Sequence, residues 1–469
     1  MNLPLPKTKI VATIGPASEA PEILARLIQA GMSVARLNFS HGEFEAHRRV
    51  IGNIRAAAEA VGRPVTIMAD LSGPKMRIGN LNVDSIRLQA GDPFTLTTQD
   101  VLGDQARVSV SFKRLPKVVK RGDLLSLNDG YIQLEVAQVS GEEVACEVKV
   151  GGELRARKGL NLPGIDLGLS AFTPQDRECL RFALENGVDA VSQSFVESAA
   201  DIHAVRDAAG EFGFEPFILA KIERSRALDR LDEILDASDG IMIARGDLGV
   251  EVPIERMAVI QKNIIRRANQ RMKPVITATQ MLESMTTYRL PTRAEVADVS
   301  NAILDGTDCV MLSGESAMGA FPVESVEMLA KIARTVEPTR RRVSVQDLFG
   351  GVTPSETVRP EHLIAISIEA CLTHLQPAVI MVPSLTGTTV RRLAAMHLPV
   401  PVVAVSPSSR VCRGLHFSFG VQPVFKPHRP NSWPAYVKEW VQQHPHTGDF
   451  AILTERSPEG DHMLEVISV

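Results

Sequence analysis

No two of the five cysteines form a CxxC pair: Cys146, Cys179, Cys309, Cys371 and Cys412 lie far apart, which argues against both a zinc framework and a disulfide scaffold. An excess of charge of one sign is also lacking. The 51 basic and 55 acidic residues are spread along the chain and leave a net charge of −4, so there is no electrostatic footprint for nucleic acid. Any polyanion must be met at a local site. Long apolar runs are missing too: no segment reaches transmembrane length, and residues 1–15 carry lysines without an apolar stretch or a small-residue cleavage site. The expectation is a cytoplasmic protein in a reducing compartment, with no membrane partner. What is present is a chain of 469 residues, 44% hydrophobic and 23% charged, enough for about two to four soluble globular domains.

Short apolar runs, each followed by a segment of helical period, recur through the first three quarters. They are KTKIVATIG, SVARLNFS, PVTIMAD, DAVSQSFV, PFILAKIE, GIMIARGD, PVITATQ and DCVMLSGES. Eight such units with nearly continuous apolar strands predict a parallel (β/α)8 barrel of the TIM type, with reactive residues at the C-terminal strand ends. A doubly wound open sheet is the alternative. Thr173, Pro174 and Asp176 predict a capped helix start, Gly187 its end, and Leu180, Ala183 and Leu184 its buried stripe.

The third unit is interrupted for about ninety residues in which RVSVSF, YIQLEVAQV and EVACEVKVG alternate apolar and polar positions, with Ser140-Gly141 as a hairpin turn. This predicts a small β-barrel lid inserted over the catalytic face. The expected division is a barrel at 1–70 and 170–343, a lid at 71–169, and a C-terminal α/β domain at 344–469 reached through the linker 344–360. In that last domain strands are expected at PAVIMV, PVVAVS, QPVF, FAILT and MLEVIS. Its loop PSLTGTT leads into a helix, so Ser384, Thr386, Gly387, Thr388 and Thr389 can either hold an effector phosphate or simply connect.

The strand ends carry the chemistry. Asp70 ends the third strand, Lys221 and Glu223 the fifth, and Thr279 the seventh; Asp247 follows the sixth, and Ser313 and Glu315 the eighth. Lys221 and Glu223 are two apart and project to one side of an extended segment. Glu223 and Asp247, from neighbouring strands, can share one hard divalent cation. The glycines of ARGDLGVEVP allow backbone amides to approach an anion. ARLNFSHG adds Arg36, whose fork suits phosphate, with Asn38, Ser40 and His41. In MADLSGPKMRIG, Lys75 stands unexplained close to Asp70.

Taken together, KTKIVATIGPAS, ARLNFSHG, KGLNLPG, AKIE, IMIARGDLGVEVP, ATQMLESM and PTRAEVADVSNAILDGTDCVMLSGES are similar, in this order, to motifs of the pyruvate kinase family. The resemblance implies phosphoryl transfer from phosphoenolpyruvate to ADP, giving pyruvate and ATP as the last step of glycolysis, with Mg2+ or Mn2+ and in a homotetramer. It implies Glu223 and Asp247 as metal ligands and Lys221 as the neutraliser of the moving charge. Thr279 and the amides of Ala244, Arg245, Gly246 and Asp247 are then the receivers of the substrate carboxylate. Thr279, Ser313 and Glu315 are implied in protonating the enolate. Arg36 and Arg77 are implied on phosphates, Asn38 and His41 towards the nucleotide, and Lys158 on the ADP phosphates when the lid closes. Met318 departs from the family pattern, which often has lysine there, and the ending ERSPEGDHMLEVISV lacks the usual Gly- and Thr-rich run.

Many members hold K+ with residues corresponding to Asn38, Ser40, Asp70 and the carbonyl of Leu71, and have glutamate at the position of Lys75 and threonine at that of Leu71. The pair Leu71 and Lys75 resembles members that work without K+, with the lysine ammonium in the place of the ion. The competing readings are a Mg2+-dependent or Schiff-base barrel lyase using Lys221, which has no use for a second phosphate site at Lys158, and a non-catalytic metabolite sensor.

Overall fold

The computed structural model describes residues 5–340, 343–349, 360–444, 447–456 and 462–469. Eight parallel strands, β1 (Lys9–Thr13), β2 (Met32–Asn38), β3 (Thr66–Leu71), β4 (Ala190–Gln193), β5 (Phe217–Ile222), β6 (Gly240–Ala244), β7 (Val275–Ala278) and β8 (Cys309–Leu312), close into a barrel in which β1 pairs with both β2 and β8. The open-sheet alternative is therefore excluded. The strands read as apolar runs because both faces are covered. Ile10, Ala12, Leu37 and Ile218 pack outward against helices, while Val11, Val34, Met68, Leu219, Met242 and Ile276 fill the interior.

Two features hold the bottom of the barrel. Asp189, Asp239 and Asp308, each just ahead of an even-numbered strand, accept the amides of Ile67, Ile218 and Val275 at the base of the preceding strand. Phe417 of the C-terminal domain enters the interior cluster and stacks on Phe217 with ring centroids 5.1 Å apart. The helix Pro174–Glu185 starts with the expected reciprocal cap between Thr173 and Asp176, and Gly187 takes a left-handed φ of 78° just past its end.

The inserted segment has a separate core running from Met76 to Leu167. Its strands form a six-stranded sheet and a two-stranded ribbon. Arg107–Ser109, Ile132–Ser140 and Glu143–Val150 answer the expected strands; Ser85–Leu88, Pro93–Thr97, Leu124–Leu127, Gly152–Arg155 and Leu160–Asn161 were not foreseen. The tip residues Asn128, Asp129 and Gly130 all take positive φ (52°, 55° and 89°), which folds the chain back tightly. Gly130 approaches the barrel so closely that a β-carbon there would lie 3.2 Å from Val250 Cγ2. The insertion thus overhangs the strand ends.

In the C-terminal domain all five expected strands form one sheet, ordered Val421–Phe425, Val402–Ser406, Val379–Pro383, Phe450–Arg456, His462–Ser468, the last antiparallel. The stretch expected as a linker begins instead as a helix, Val345–Phe349, because Val345 and Leu348 are buried in that domain's core. Residues 350–359 of it, and 457–461 of the divergent ending, lie outside the described residues.

Candidate active site

The period of two that fills the barrel interior also builds its mouth. Two residues on from Val11, Val34, Met68, Ala190 and Leu219, the same face carries Thr13, Arg36, Asp70, Ser192 and Lys221. Register places them side by side: Asn38 lies opposite Asp70, and Asp70 opposite Ser192. The result is a ring of polar groups on an apolar floor.

Asp70 is the hub of this ring. It is 2% exposed. One oxygen accepts from Arg36 Nε at 2.8 Å and from Arg36 Nη2, the other from Ser192 Oγ at 2.7 Å. Lys221 Nζ stands 3.3 Å from both oxygens. Burial alone pushes the carboxyl pKa up, but the charges of Lys221 and Arg36 outweigh it and hold Asp70 well below the usual carboxylate range. Arg36 is aimed further by Nη1, which donates to Thr13 Oγ1 at 2.8 Å.

Lys221 also reaches Glu223 Oε1 at 2.8 Å and Ser194 Oγ at 2.7 Å. Burial favours the neutral amine, yet Asp70 and Glu223 together raise its pKa above that of an ordinary lysine. It is an ammonium throughout the physiological range. Glu223 is held in turn by the amide of Phe195, at 2.9 Å from Oε2; Phe195 has a φ of 60°, unusual for a bulky residue.

Asp247 differs from both. It lies in the first turn of the helix Arg245–Glu251 and is exposed by area, yet desolvation by the protein around it, and then the charge of Glu223, push its pKa up to about 6 against the opposing pull of Lys221 and Lys75. A carboxylate that is short of positive charge beside a second carboxylate is a seat for a cation. The donors are hard oxygens, as a small divalent ion requires. Among the described residues no group of three or more His, Cys, Asp or Glu that could by itself hold a metal ion is gathered.

Lys75 does not pair with Asp70. Among the described residues it has no carboxylate within salt-bridge reach, and its Nζ donates to Ser40 Oγ at 3.0 Å; Ser40 also takes the Ser72 hydroxyl at 2.9 Å, while its amide donates to Asn38 Oδ1 at 3.1 Å. Lys75 is exposed by area, yet protein atoms across the cleft crowd its ammonium, and this desolvation with the charge of Lys221 lowers its pKa; Asp70, Glu223 and Asp247 act the other way at longer range. His41 is exposed at the same rim, its pKa lowered by partial burial and by Lys75, Arg77 and Arg36. Arg77 Nη1 donates to the carbonyl of Arg157, beside Lys158 at the lid base.

Thr279 has a φ of 70°, and its hydroxyl accepts the amide of Gly246 at 2.8 Å while donating to the carbonyl of Ala278 at 2.6 Å. The Arg245 side chain turns away and ties Asp298 to the carbonyl of Thr279. Glu315, fully buried, accepts the amides of Leu282 at 3.0 Å and Ser313 at 2.7 Å, so it braces two strand-end loops. Met318 is 77% exposed. Sequence reasoning missed Ser192 and Ser194; the signal was the alternation in DAVSQSFV, which puts both on the face of Ala190.

Comparison with known proteins accords with this geometry. The model of the pyruvate kinase barrel domain matches residues 5–326, and that of the pyruvate kinase alpha/beta domain matches 362–467. A pyruvate kinase from Thermococcus litoralis is 49% identical over 90% of this chain and 89% of its own. One from Clostridium acetobutylicum is 40% identical over 89% of this chain and 88% of its own. The crystal structure of a pyruvate kinase from Cryptosporidium parvum superposes with a TM-score of 0.90 at 34% identity, covering 99% of this chain and 98% of that one. With both domain models matched in order and relatives aligned over nearly their whole length, the chain belongs to the pyruvate kinase family.

Proposed function

We propose that the barrel mouth is a phosphoryl-transfer site in which Glu223 and Asp247 hold Mg2+ or Mn2+ and Lys221, Arg36 and Lys75 supply the remaining positive charge. The enzyme moves a phosphoryl group from phosphoenolpyruvate to ADP, giving pyruvate and ATP. The observation that carries the site reading is the Lys221 ammonium held between Asp70 and Glu223, beside the under-neutralised Asp247. Phosphoryl transfer asks chiefly for positioning and fixed charge, and this site offers both.

A bound divalent ion supplies Lewis acidity to the phosphoryl and enolate oxygens. The chain does the rest. Arg36, aimed by Asp70 and Thr13, presents the guanidinium to the phosphate. Lys221 stabilises charge as it passes from the phosphoryl group to the enolate oxygen, fixed in place beforehand by Ser194 and two carboxylates. The first-turn amides around Ala244, Arg245, Gly246 and Asp247, with Thr279, receive the substrate carboxylate. Ser313 and Thr279 serve the proton path to the enolate, with Glu315 as their brace. The lid at 71–169 excludes water and brings Arg77 and Lys158 to the ADP phosphates, near Asn38 and His41.

We assign Lys75 as the substitute for a monovalent cation. Its bond to Ser40, within the group Asn38, Ser40, Asp70 and Leu71, supports this. Homotetramer assembly is supported by Ile254, Val259, Tyr288 and Leu290, all about two-thirds or more exposed despite their size. In the C-terminal domain, Ser384 accepts the amide of Gly387 at 2.9 Å and the hydroxyls of Thr386 and Thr388 lie 3.0 Å apart. With Thr389 in the following first turn, this is an effector-phosphate loop; Thr386→Ala with Thr388→Ala removes activation by a phosphorylated effector without changing basal rate.

The direct test is pyruvate formation from phosphoenolpyruvate and ADP in a coupled assay. Turnover with Mg2+ or Mn2+ is expected; no turnover with either overturns the reading.

A further inference from the structure

Each residue of the proposed metal seat has a chain neighbour aimed towards the base of the lid. Arg224 directly follows Glu223, and Glu251 lies about one helical turn beyond Asp247. Arg224 is 1% exposed and, among the described residues, is the largest side chain buried to that degree. Its Nη1 donates to Glu251 Oε1 at 2.8 Å and its Nε to Glu197 Oε1 at 3.1 Å. Its Nη2 donates to the carbonyls of Ile165 at 2.9 Å and Leu162 at 3.3 Å. The other oxygen of Glu251 accepts the Ser225 hydroxyl at 3.1 Å and the Gly164 amide at 3.4 Å. Two residues on, Arg226 bridges to Asp166 at 2.7 Å.

Residues 162–166 are the path by which the chain returns from lid to barrel, and they begin four residues after Lys158. A connecting segment needs no buried charge to be a connection, and burying a guanidinium is costly unless every donor is met. Here the donors go to the backbone of that segment and to two carboxylates, Glu197 in the loop after β4 and Glu251 at the end of the helix after β6. The arrangement has no slack: a change in the spacing of the ends of β5 and β6 moves Arg224 and Glu251 relative to each other, and the segment they share must follow.

Resting on the metal seat and lid proposed above, we infer that Arg224 is a positioning residue that couples the two. Through Glu251 and the carbonyls of Leu162 and Ile165 it passes the spacing of Glu223 and Asp247 to the lid's return segment, and so sets where Lys158 meets the nucleotide. A purely structural pair would stabilise the fold without linking cation binding to the lid.

The test is amide hydrogen exchange on the full-length chain with and without saturating Mn2+. In the parent, Mn2+ slows exchange across 162–166, Gly164 included, by about tenfold. In Arg224→Met/Glu251→Met, which leaves no unpaired buried charge, Mn2+ still binds but no longer protects this segment. The same variant raises KM for ADP about tenfold and leaves KM for phosphoenolpyruvate within about twofold. Arg224→Lys keeps the charge but not the fork, and gives intermediate values; it carries the comparison alone if the double variant does not fold. Equal Mn2+ protection in parent and variant, or equal rises in both KM values, overturns the coupling. If Mn2+ binds the parent without protecting 162–166, the coupling falls and the seat stands. If Mn2+ does not bind the parent, the seat falls and the coupling with it.

Discussion

Lys221 Nζ lies 2.8 Å from Glu223 Oε1 on the same strand end, so the fixed positive charge and the proposed metal ligand touch before any substrate arrives. This contact, with that to Asp70, keeps the lysine protonated. A Schiff-base lyase needs the opposite, an amine with lowered pKa. The pair therefore separates phosphoryl transfer from the rival use of the same lysine.

Removing either carboxylate of the seat takes a charged oxygen from a hard cation. Glu223→Ala and Asp247→Ala are each expected to lower kcat by about three orders of magnitude, equivalent to several kcal/mol, with the fold retained. Turnover assays and Mn2+ titration check this; near-normal activity and metal affinity in either variant would contradict the assignment.

Lys221→Met leaves Arg36 on Asp70 and so should fold. Its kcat is expected to drop about a hundredfold to a thousandfold while binding of phosphoenolpyruvate is largely kept, because the ammonium matters most as charge moves. Equal losses in binding and turnover, measured by titration and steady-state kinetics, would count against that role.

His416 lines a cavity of about 380 Å³ between the barrel base and the C-terminal domain, with Arg55, Arg63 and Arg413. Burial first, then the charges of Lys9 and Arg63, lower its pKa to about 3. The unfolded chain takes up a proton near pH 6.5 that the folded chain refuses, so stability from this group is complete above that pH and lost as pH falls towards 3. Relative to His416→Gln, the parent should lose about 1.4 kcal/mol per pH unit below about 6.5, read from urea unfolding. A difference that does not change with pH would contradict it.

The barrel and its mouth were legible in the sequence because one rule governs both: apolar alternation marks the strands, and its continuation puts Arg36, Asp70 and Lys221 on one face. Even the cap at Thr173 could be read, since it is local. What escaped depends on partners distant in sequence. Arg224 and Glu251 look like surface charges in a window of ten residues, and only the fold brings Leu162 and Ile165 against them. Lys75 stands close to Asp70 in sequence, but Arg36, Ser192 and Lys221 already take the oxygens of Asp70, and the lysine goes to Ser40. The helix Val345–Phe349 was hidden by the Gly-, Ser- and Thr-rich run after it, although Val345 and Leu348 carry its packing.

In the proposed mouth the chain itself supplies the monovalent charge, and the K+ response tests this most directly. Turnover is measured with Mg2+ at fixed ionic strength, first with a bulky non-coordinating monovalent cation alone and then with K+ added, for the parent and for Lys75→Glu. The parent is expected to be near full activity without K+, and Lys75→Glu to depend on it. Strong activation of the parent by K+ would contradict the role assigned to Lys75.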